Sequence, residues 1–406
     1  MCKIAVLFYR LGPYLCSRLA AAGRLCDIHA VEFCVSDLAY QWELVTAVEG
    51  FRRTTLFTDY DISYHSANRI HGRISEVMGS IAPDVVAIPG WGFAPSLIAL
   101  QWCCDTGTPA VLMSDSFRHG PRPTYKEWPK RRLIPLFSSA LVAGQPQADY
   151  VAELGMPSDR IFFGYDAVDN AYFAAGTAKA RSEEQRARSQ HGLPEKFFLV
   201  PSRFILEKNL PRLLEGYARY RTLCEMSVVS GPVVPWSLVL LGDGPLRETL
   251  NSQLSTLNLH GHVQMPGFKQ YPDLPTYYGL ASAMILPSVS ETWGLVVNEA
   301  MASGLPVLVS NRCGCVPDLV KDGVNGFAFD PSDVDALAQL MLKISAFHFP
   351  LSKFGAESAR IVSNWGLDRF ASGLKGAADK ALEVGPKRAG LFDRLLLWAL
   401  ARRGNA

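Results

Sequence analysis

The sequence predicts an α/β protein of two consecutive doubly wound domains, and three observations carry that reading. A chain of 406 residues, 49% apolar and 19% charged, has the length and composition for two sizeable cores and is poor material for a disordered protein. Short runs that are nearly all apolar recur along it, the pattern of parallel strands covered on both faces. The stretches between the runs have helical spacing, and that alternation builds a parallel sheet flanked by helices.

The first series of strands is read at Lys3–Phe8, Ile28–Val35, Asp84–Ile88, Ala110–Met113, Leu141–Val142 and Ile161–Phe163. The opening run reads as a buried strand and not as a secretory signal, because Arg10 and Arg18 interrupt the residues beyond it. A second series is read at Phe197–Val200, Ser237–Leu241, Val263–Met265, Ala283–Leu286, Val307–Val309 and Phe327–Phe329. Between them, Leu210–Leu223 sets Leu213, Leu214, Tyr217 and Tyr220 on one side of a helix. Pro245–Leu257 opens with proline in its first turn, and Val334–Ile344 comes after the start signal Pro331-Ser332-Asp333. The polar, strand-free segment Gly176–Leu193 places a boundary around 165–195. The expected division is 1–175, 195–380 and a basic, apolar tail at 381–406, whose return to the first domain is one arrangement.

Lysine and arginine number 40 against 38 acids, a net charge of +2 that argues against nucleic acid as a partner. No run of about 18 apolar residues is present, so no transmembrane helix is expected. The nine cysteines are odd in number and include no Cys-x-x-Cys pair. Cys103-Cys104 are adjacent, and Cys313-Gly314-Cys315 are too close for a zinc knuckle, so reduced thiols of a cytosolic protein and no metal site are expected.

The densest chemical signal runs from Ser288 to Val307. Pro287–Gly294 reads as a turn from a strand into a helix over Val296–Ser303, which Gly304 stops. Backbone N–H groups at such a helix start form an anion site. Glu291 and Glu299, eight residues apart, put one carboxylate at the mouth and one along the wall. Ribose and sugar hydroxyls satisfy carboxylates there better than more phosphate does. The positive counterpart comes earlier, where Arg203 and Lys208 lie five residues apart on a strand-to-helix loop. Arginine binds a diphosphate as a fork and lysine as a point charge.

Five linked motifs over 197–330 now specify a resemblance. They are Arg203…Lys208-Asn209, Gly242-Asp243-Gly244-Pro245, Pro287-Ser288…Glu291-x-Trp293-Gly294…Glu299-Ala300, Gly304-Leu305-Pro306-Val307 and Gly323-x-Asn325-Gly326. In order and spacing the sequence resembles retaining glycosyltransferases of family 4. That family has the GT-B fold, two Rossmann-like domains facing a central cleft, with the nucleotide sugar as a co-substrate and no cofactor. The resemblance implies that Arg203 and Lys208 hold the donor diphosphate and stabilise the departing nucleotide. Glu291 would lie beside the donor sugar, the backbone of Trp293, Gly294 and Leu295 would meet that sugar, and Val296 would stand near the phosphates. Glu299 would bind ribose, and Gly242 belongs to the same donor side. Trp293 stands where the family often has phenylalanine. Cys313-Gly314-Cys315-Val316-Pro317-Asp318 replaces a common Gly-Gly-x-Pro-Glu turn, so Cys315 is read as a structural substitution and not a nucleophile.

The first domain departs from the pattern. A Gly-Gly loop usually comes after the first strand; here Tyr9-Arg10-Leu11-Gly12-Pro13-Tyr14 leaves Gly12 as the candidate for close approach to substrate. In place of a common histidine stands Ser114-Asp115-Ser116-Phe117-Arg118-His119. Asp115 or Ser116 takes the sugar-facing place, and His119 either comes close from the loop or lies at the surface. Arg118–Arg132 reads as a solvated loop or as a basic lip for an anionic acceptor or membrane surface. The tail Lys387–Arg403, too short to span a bilayer, lies on a membrane or docks on the protein. Asp59-Tyr60-Asp61 imitates the metal motif of the other glycosyltransferase fold without its context.

These readings imply a hexose transferred from a nucleotide sugar, UDP-linked by expectation, to a hydroxyl of a glycan, lipid-linked or small-molecule acceptor, in the cytoplasm or on the cytoplasmic face of a membrane. The alternative within the same fold is a nucleotide-sugar epimerase, which would need acid/base groups in the first domain. A dehydrogenase would need Gly-x-Gly-x-x-Gly after the first strand, where Gly12 stands by itself.

Overall fold

The structure, a computed structural model, describes residues 1–35, 43, 45, 49–58, 62–120, 123–226 and 234–403. Seven parallel strands form the first sheet: β1 (Lys3–Phe8), β2 (Asp27–Cys34), β3 (Arg52–Phe57), β4 (Val85–Pro89), β5 (Ala110–Ser114), β6 (Ser139–Val142) and β7 (Ile161–Phe163). Their order is β3-β2-β1-β4-β5-β6-β7. Side chains alternate across a strand, so Ala5 and Leu7 of β1 enter the core on one face while Ile4, Val6 and Phe8 enter it on the other. Burial on both sides explains why β1 is a continuous apolar run.

Six parallel strands form the second sheet: β8 (Phe197–Pro201), β9 (Ser237–Leu241), β10 (Val263–Gly267), β11 (Ala283–Leu286), β12 (Val307–Ser310) and β13 (Gly326–Phe329). Their order is β10-β9-β8-β11-β12-β13. In each sheet the chain first builds outward from the opening strand and then crosses to its other side. The order therefore reverses between β1 and β4 and between β8 and β11, the places where open α/β sheets bind ligands beyond the carboxyl ends of their strands.

The expected strands are present, and β3 is one the sequence reading did not include. It opens with Arg52 and Arg53, lies at the sheet edge and buries Leu56 and Phe57 at its end, so it lacks the apolar run that marks its neighbours. The helix after β9 begins at Arg247, two residues beyond Pro245, and the helix after β11 begins at Leu295.

The compact units are Met1–Asp169 with Trp365–Ala406, and Asn170–Asn364. Both borders differ from the expected ones for identifiable reasons. Helix Asn170–Ser182, which the border at 175 would cut, buries Phe173, Thr177 and Ala180, and Arg181 donates to the carbonyls of Gly279 (3.0 Å) and Ser303 (2.8 Å) in the second unit. Helix Leu367–Val384, assigned in part to the second domain, belongs to the first unit. Phe370, Leu374, Ala377 and Ala381 are buried there, and Ser139 donates to the Ala377 carbonyl at 2.6 Å. A Cβ on Gly373 would stand 2.1 Å from the Phe163 carbonyl oxygen, so only glycine lets this helix lie against β7.

The tail forms a helix, Leu391–Arg402, packed on helix Ala94–Thr106 of the first unit. The segment read as a solvated loop or a basic lip contains helix Thr124–Leu133, whose last turn carries Lys130, Arg131 and Arg132 at the end that favours cations. Among the described residues, no helix is long and apolar enough to cross a membrane. Asp59-Tyr60-Asp61 lies outside the described residues.

Candidate functional site

In the second unit, the loops beyond β8, β9 and β11 come together at the point where strand order reverses. The loop after β8 ends in a 3-10 turn, Leu206–Lys208, and a left-handed Asn209 with φ of 55°. Asn209 donates to the carbonyls of Pro287 (3.2 Å) and Pro331 (2.8 Å), tying this loop to those after β11 and β13. The Val289 amide donates to the Glu207 carbonyl at 2.9 Å. With both loops held, Lys208 Nζ donates to Glu291 Oε2 across the reversal point. Sequence spacing put these two charges in one domain; the fold makes them partners.

The loop after β9 is laced to the same region. The Ser202 amide donates to the Leu241 carbonyl (3.0 Å) and the Phe204 amide to the Asp243 carbonyl (2.8 Å). Gly242 has φ of 149°, and a Cβ there would stand 1.9 Å from the Ser202 carbonyl oxygen. Glycine is therefore required for the two loops to touch, beside the exposed Arg203. Arg247, and behind it the Gly244 amide, hold the Asp243 carboxyl below its ordinary value.

Beyond β11, Gly294 caps helix Leu295–Ala302 with φ of 102°, and Leu295 and Val296 at its start remain partly exposed. Trp293 is buried and donates from Nε1 to Asn298 Oδ1 at 2.9 Å. Phenylalanine has no such donor. The Cys313-Gly314-Cys315 turn supports the loop from behind: the Gly314 amide donates to the Glu291 carbonyl (3.0 Å) and the Cys315 amide to that of Trp293 (3.3 Å). Burial, and then the nearby Glu291 charge, push the Cys313 thiol up; burial does the same to Cys315. A protonated, buried thiol is a poor nucleophile, in keeping with a structural place for Cys315.

Glu299 is 2% exposed, and Tyr278 donates to its Oε2 at 2.6 Å. Tyr278 escaped sequence reasoning because an aromatic residue in helix Leu274–Leu280 looks like any core residue.

In the first unit, Gly12 caps helix Pro13–Gly23 beyond β1, with φ of −106° and open space where a Cβ would stand. Its conformation does not require glycine. The preceding Leu11 amide donates to Glu32 Oε2 at 2.9 Å, and Glu32, fully buried in β2, also accepts from Arg53 and Thr55. Glu32, the one acid within Ile28–Cys34, was the available signal for this anchor. Asp115 lies just beyond β5, partly exposed, with the Ser116 amide turned back to Ser114 Oγ at 3.1 Å. His119 lies against Phe117, ring centroids 3.9 Å apart. The reversal between β1 and β4 also brings in a loop that sequence reasoning missed, Gly90-Trp91-Gly92-Phe93, with the Phe93 ring 5.2 Å from that of Tyr9. Among the described residues, no three His, Cys, Asp or Glu side chains gather as a metal cluster.

Two doubly wound parallel units of this kind define the GT-B class of glycosyltransferase fold. Residues 181–347 match the family model described as glycosyl transferases group 1. It is similar to the sulfoquinovosyl transferase SQD2 of Arabidopsis thaliana, 31% identical over 191 residues, 46% of this chain and 33% of that protein. It is also similar to a GDP-mannose-dependent alpha-(1-6)-phosphatidylinositol monomannoside mannosyltransferase of Mycolicibacterium smegmatis, 27% identical over 212 residues, 50% of this chain and 52% of that one. The chain thus spans between a third and about half the length of these curated relatives. Among solved structures, HepE of Anabaena in complex with UDP matches with a TM-score of 0.68 and 18% identity, covering 92% of this chain and 98% of that one, a likeness of fold.

Proposed function

We propose that the protein is a retaining glycosyltransferase that moves a hexose from a nucleotide sugar, with UDP as the nucleotide, to a hydroxyl of a glycan, lipid-linked or small-molecule acceptor. The observation that carries the reading is the Lys208–Glu291 pair at the reversal point of the second sheet. It sets a cation and a carboxylate side by side, next to a helix start. Breaking a sugar–phosphate bond develops negative charge on the nucleoside diphosphate and positive character on the sugar. Lys208, Arg203 and the backbone N–H groups at Leu295 and Val296 would stabilise the first without a metal ion, and Glu291 would face the sugar. Glu299, held by Tyr278, would accept from ribose hydroxyls. UDP in the Anabaena structure and the nucleotide dependence in the Mycolicibacterium relative's name support a nucleotide donor. Neither relative named above is an epimerase.

The same reading places the enzyme in the cytoplasm, where nucleotide sugars are made, in keeping with nine free cysteines. The acceptor would be presented by the first unit, near Gly12 and Asp115.

The test is a donor screen on the full chain. Thermal unfolding with UDP, GDP, ADP and dTDP at about 1 mM should show stabilisation by UDP. Hydrolysis of the matching sugars, with and without a chelator, then reads turnover and metal dependence, and the anomeric form of the product reads retention. No response to any nucleotide overturns the assignment.

A further inference from the structure

The last helix carries apolar side chains on opposite sides, yet the protein covers one side of it. Leu397 and Ala401 are buried against the first unit, and Arg394 and Arg402 fasten the helix to Asp105 (2.9 Å) and Asn68 (2.6 Å). On the outer side Leu391, Phe392, Leu395 and Trp398 are 78%, 53%, 57% and 51% exposed. Leu391, Leu395 and Trp398 recur at intervals of four and three, so they share a stripe. A helix with apolar residues on both faces calls for a second covering surface.

The fold extends this stripe with a segment distant in sequence. Helix Thr124–Leu133 packs beside the tail, with the Trp128 and Phe392 rings at 5.7 Å, the Arg132 guanidinium over Phe392 and bonded to Asp393 at 2.6 Å, and Tyr125 exposed. The basic segment and the apolar tail, separate features of the sequence, become one surface.

Charge decides what that surface meets. Helix 124–133 and residues 387–403 carry nine basic side chains against two acids. Both acids are spent internally, Glu127 on Lys130 and Asp393 on Arg132. Lys126, Arg388 and Arg403 are exposed, and Arg131, also exposed, is paired with Glu153 at 3.1 Å. Exposed aliphatic stripe, tryptophan and tyrosine, and surrounding lysine and arginine are the elements of a helix lying in the interface of an anionic bilayer. We propose that helices Thr124–Leu133 and Leu391–Arg402 together dock the protein on the surface of an anionic phospholipid bilayer, with Leu395 and Trp398 entering the headgroup region.

The experiment is flotation of the full chain with vesicles of phosphatidylglycerol and phosphatidylcholine, against pure phosphatidylcholine, at about 0.1 M salt. The protein should float with the anionic vesicles and stay behind with the neutral ones. Leu395→Glu/Trp398→Glu should lower the bound fraction about tenfold. Leu395→Ser/Trp398→Ser, which adds no charge, should lower it in the same direction with an unchanged thermal midpoint. Equal flotation with both vesicle types, no flotation, or wild-type binding by both variants overturns the proposal. So does a dimer that the substitutions dissolve while vesicles are ignored, which would make a second copy the cover. The nucleotide response is read separately, so this proposal and the donor assignment fail independently.

Discussion

The phenol of Tyr278 donates to a carboxylate oxygen of Glu299 inside the second unit, at 2.6 Å and 21 positions apart in sequence. A buried carboxylate needs such a donor to stay oriented. Tyr278→Phe removes the donor and keeps the ring. Because a hydrogen bond to a charged group is worth more than a neutral one, the donor-sugar KM should rise about tenfold while kcat changes by less than about twofold. Initial rates against donor concentration decide this; an unchanged KM would remove Tyr278 from the site.

Lys208 and Glu291 should not be separable by activity. Lys208→Ala removes the charge that meets the developing diphosphate, and Glu291→Ala removes the carboxylate beside the sugar. Each should lower transfer by about a hundredfold or more. The thermal midpoint should stay within a few degrees of the parent, since both side chains border solvent and the loops are held by Asn209. Wild-type turnover in either variant would sink the assignment of the pair.

Gly242→Ala tests backbone fit instead of charge. The added methyl would meet the Ser202 carbonyl oxygen at 1.9 Å, in a region of φ that favours glycine. A strained residue of this kind costs about 1–3 kcal/mol, and calorimetry should show a clearly lowered midpoint. Gly72→Ala is the control. It lies inside helix Ala67–Ile81 with nothing within 4 Å of its would-be Cβ, so alanine should stabilise by about 0.5–1 kcal/mol.

His29 provides a pH test within the first sheet. Burial, and then the Arg52 charge, lower its pKa, and its Nε2 lies 2.7 Å from Thr54 Oγ1. The folded protein thus keeps this ring neutral where the unfolded chain protonates it. The associated stability is present above the ordinary histidine range and declines as pH falls through it. Thermal midpoints at about pH 7 and about pH 5 should differ more for the parent than for His29→Gln. Equal slopes would contradict a half-buried, neutral ring.

How far a feature is legible in the sequence depends on how local its signal is. Buried parallel strands announce themselves as apolar runs, and a turn between a strand and a helix carries its own residues, so the motif around Glu291 and Trp293 could be read in place. β3 could not, because an edge strand with one wet side carries arginines and threonines. Nor could Tyr278, whose partner comes from elsewhere in the fold. Helix Leu367–Val384 departs from the expected division because its contact face surrounds Phe370 and Leu374 with alanine and glycine, residues whose pattern shows that something packs closely without showing what. Gly12 marks the opposite case: a conspicuous glycine at a conformation open to other residues.

The placement of Trp365–Ala406 has a consequence for the chain as it leaves the ribosome. Everything needed for the second unit is delivered before the helices that close the first. Until then Val111, Met113 and Leu141, which share a core with Phe370 and Leu374, lack part of their cover. The part of the protein begun first is thus the part finished last, and its nascent sheet is the stretch a chaperone would have to shield.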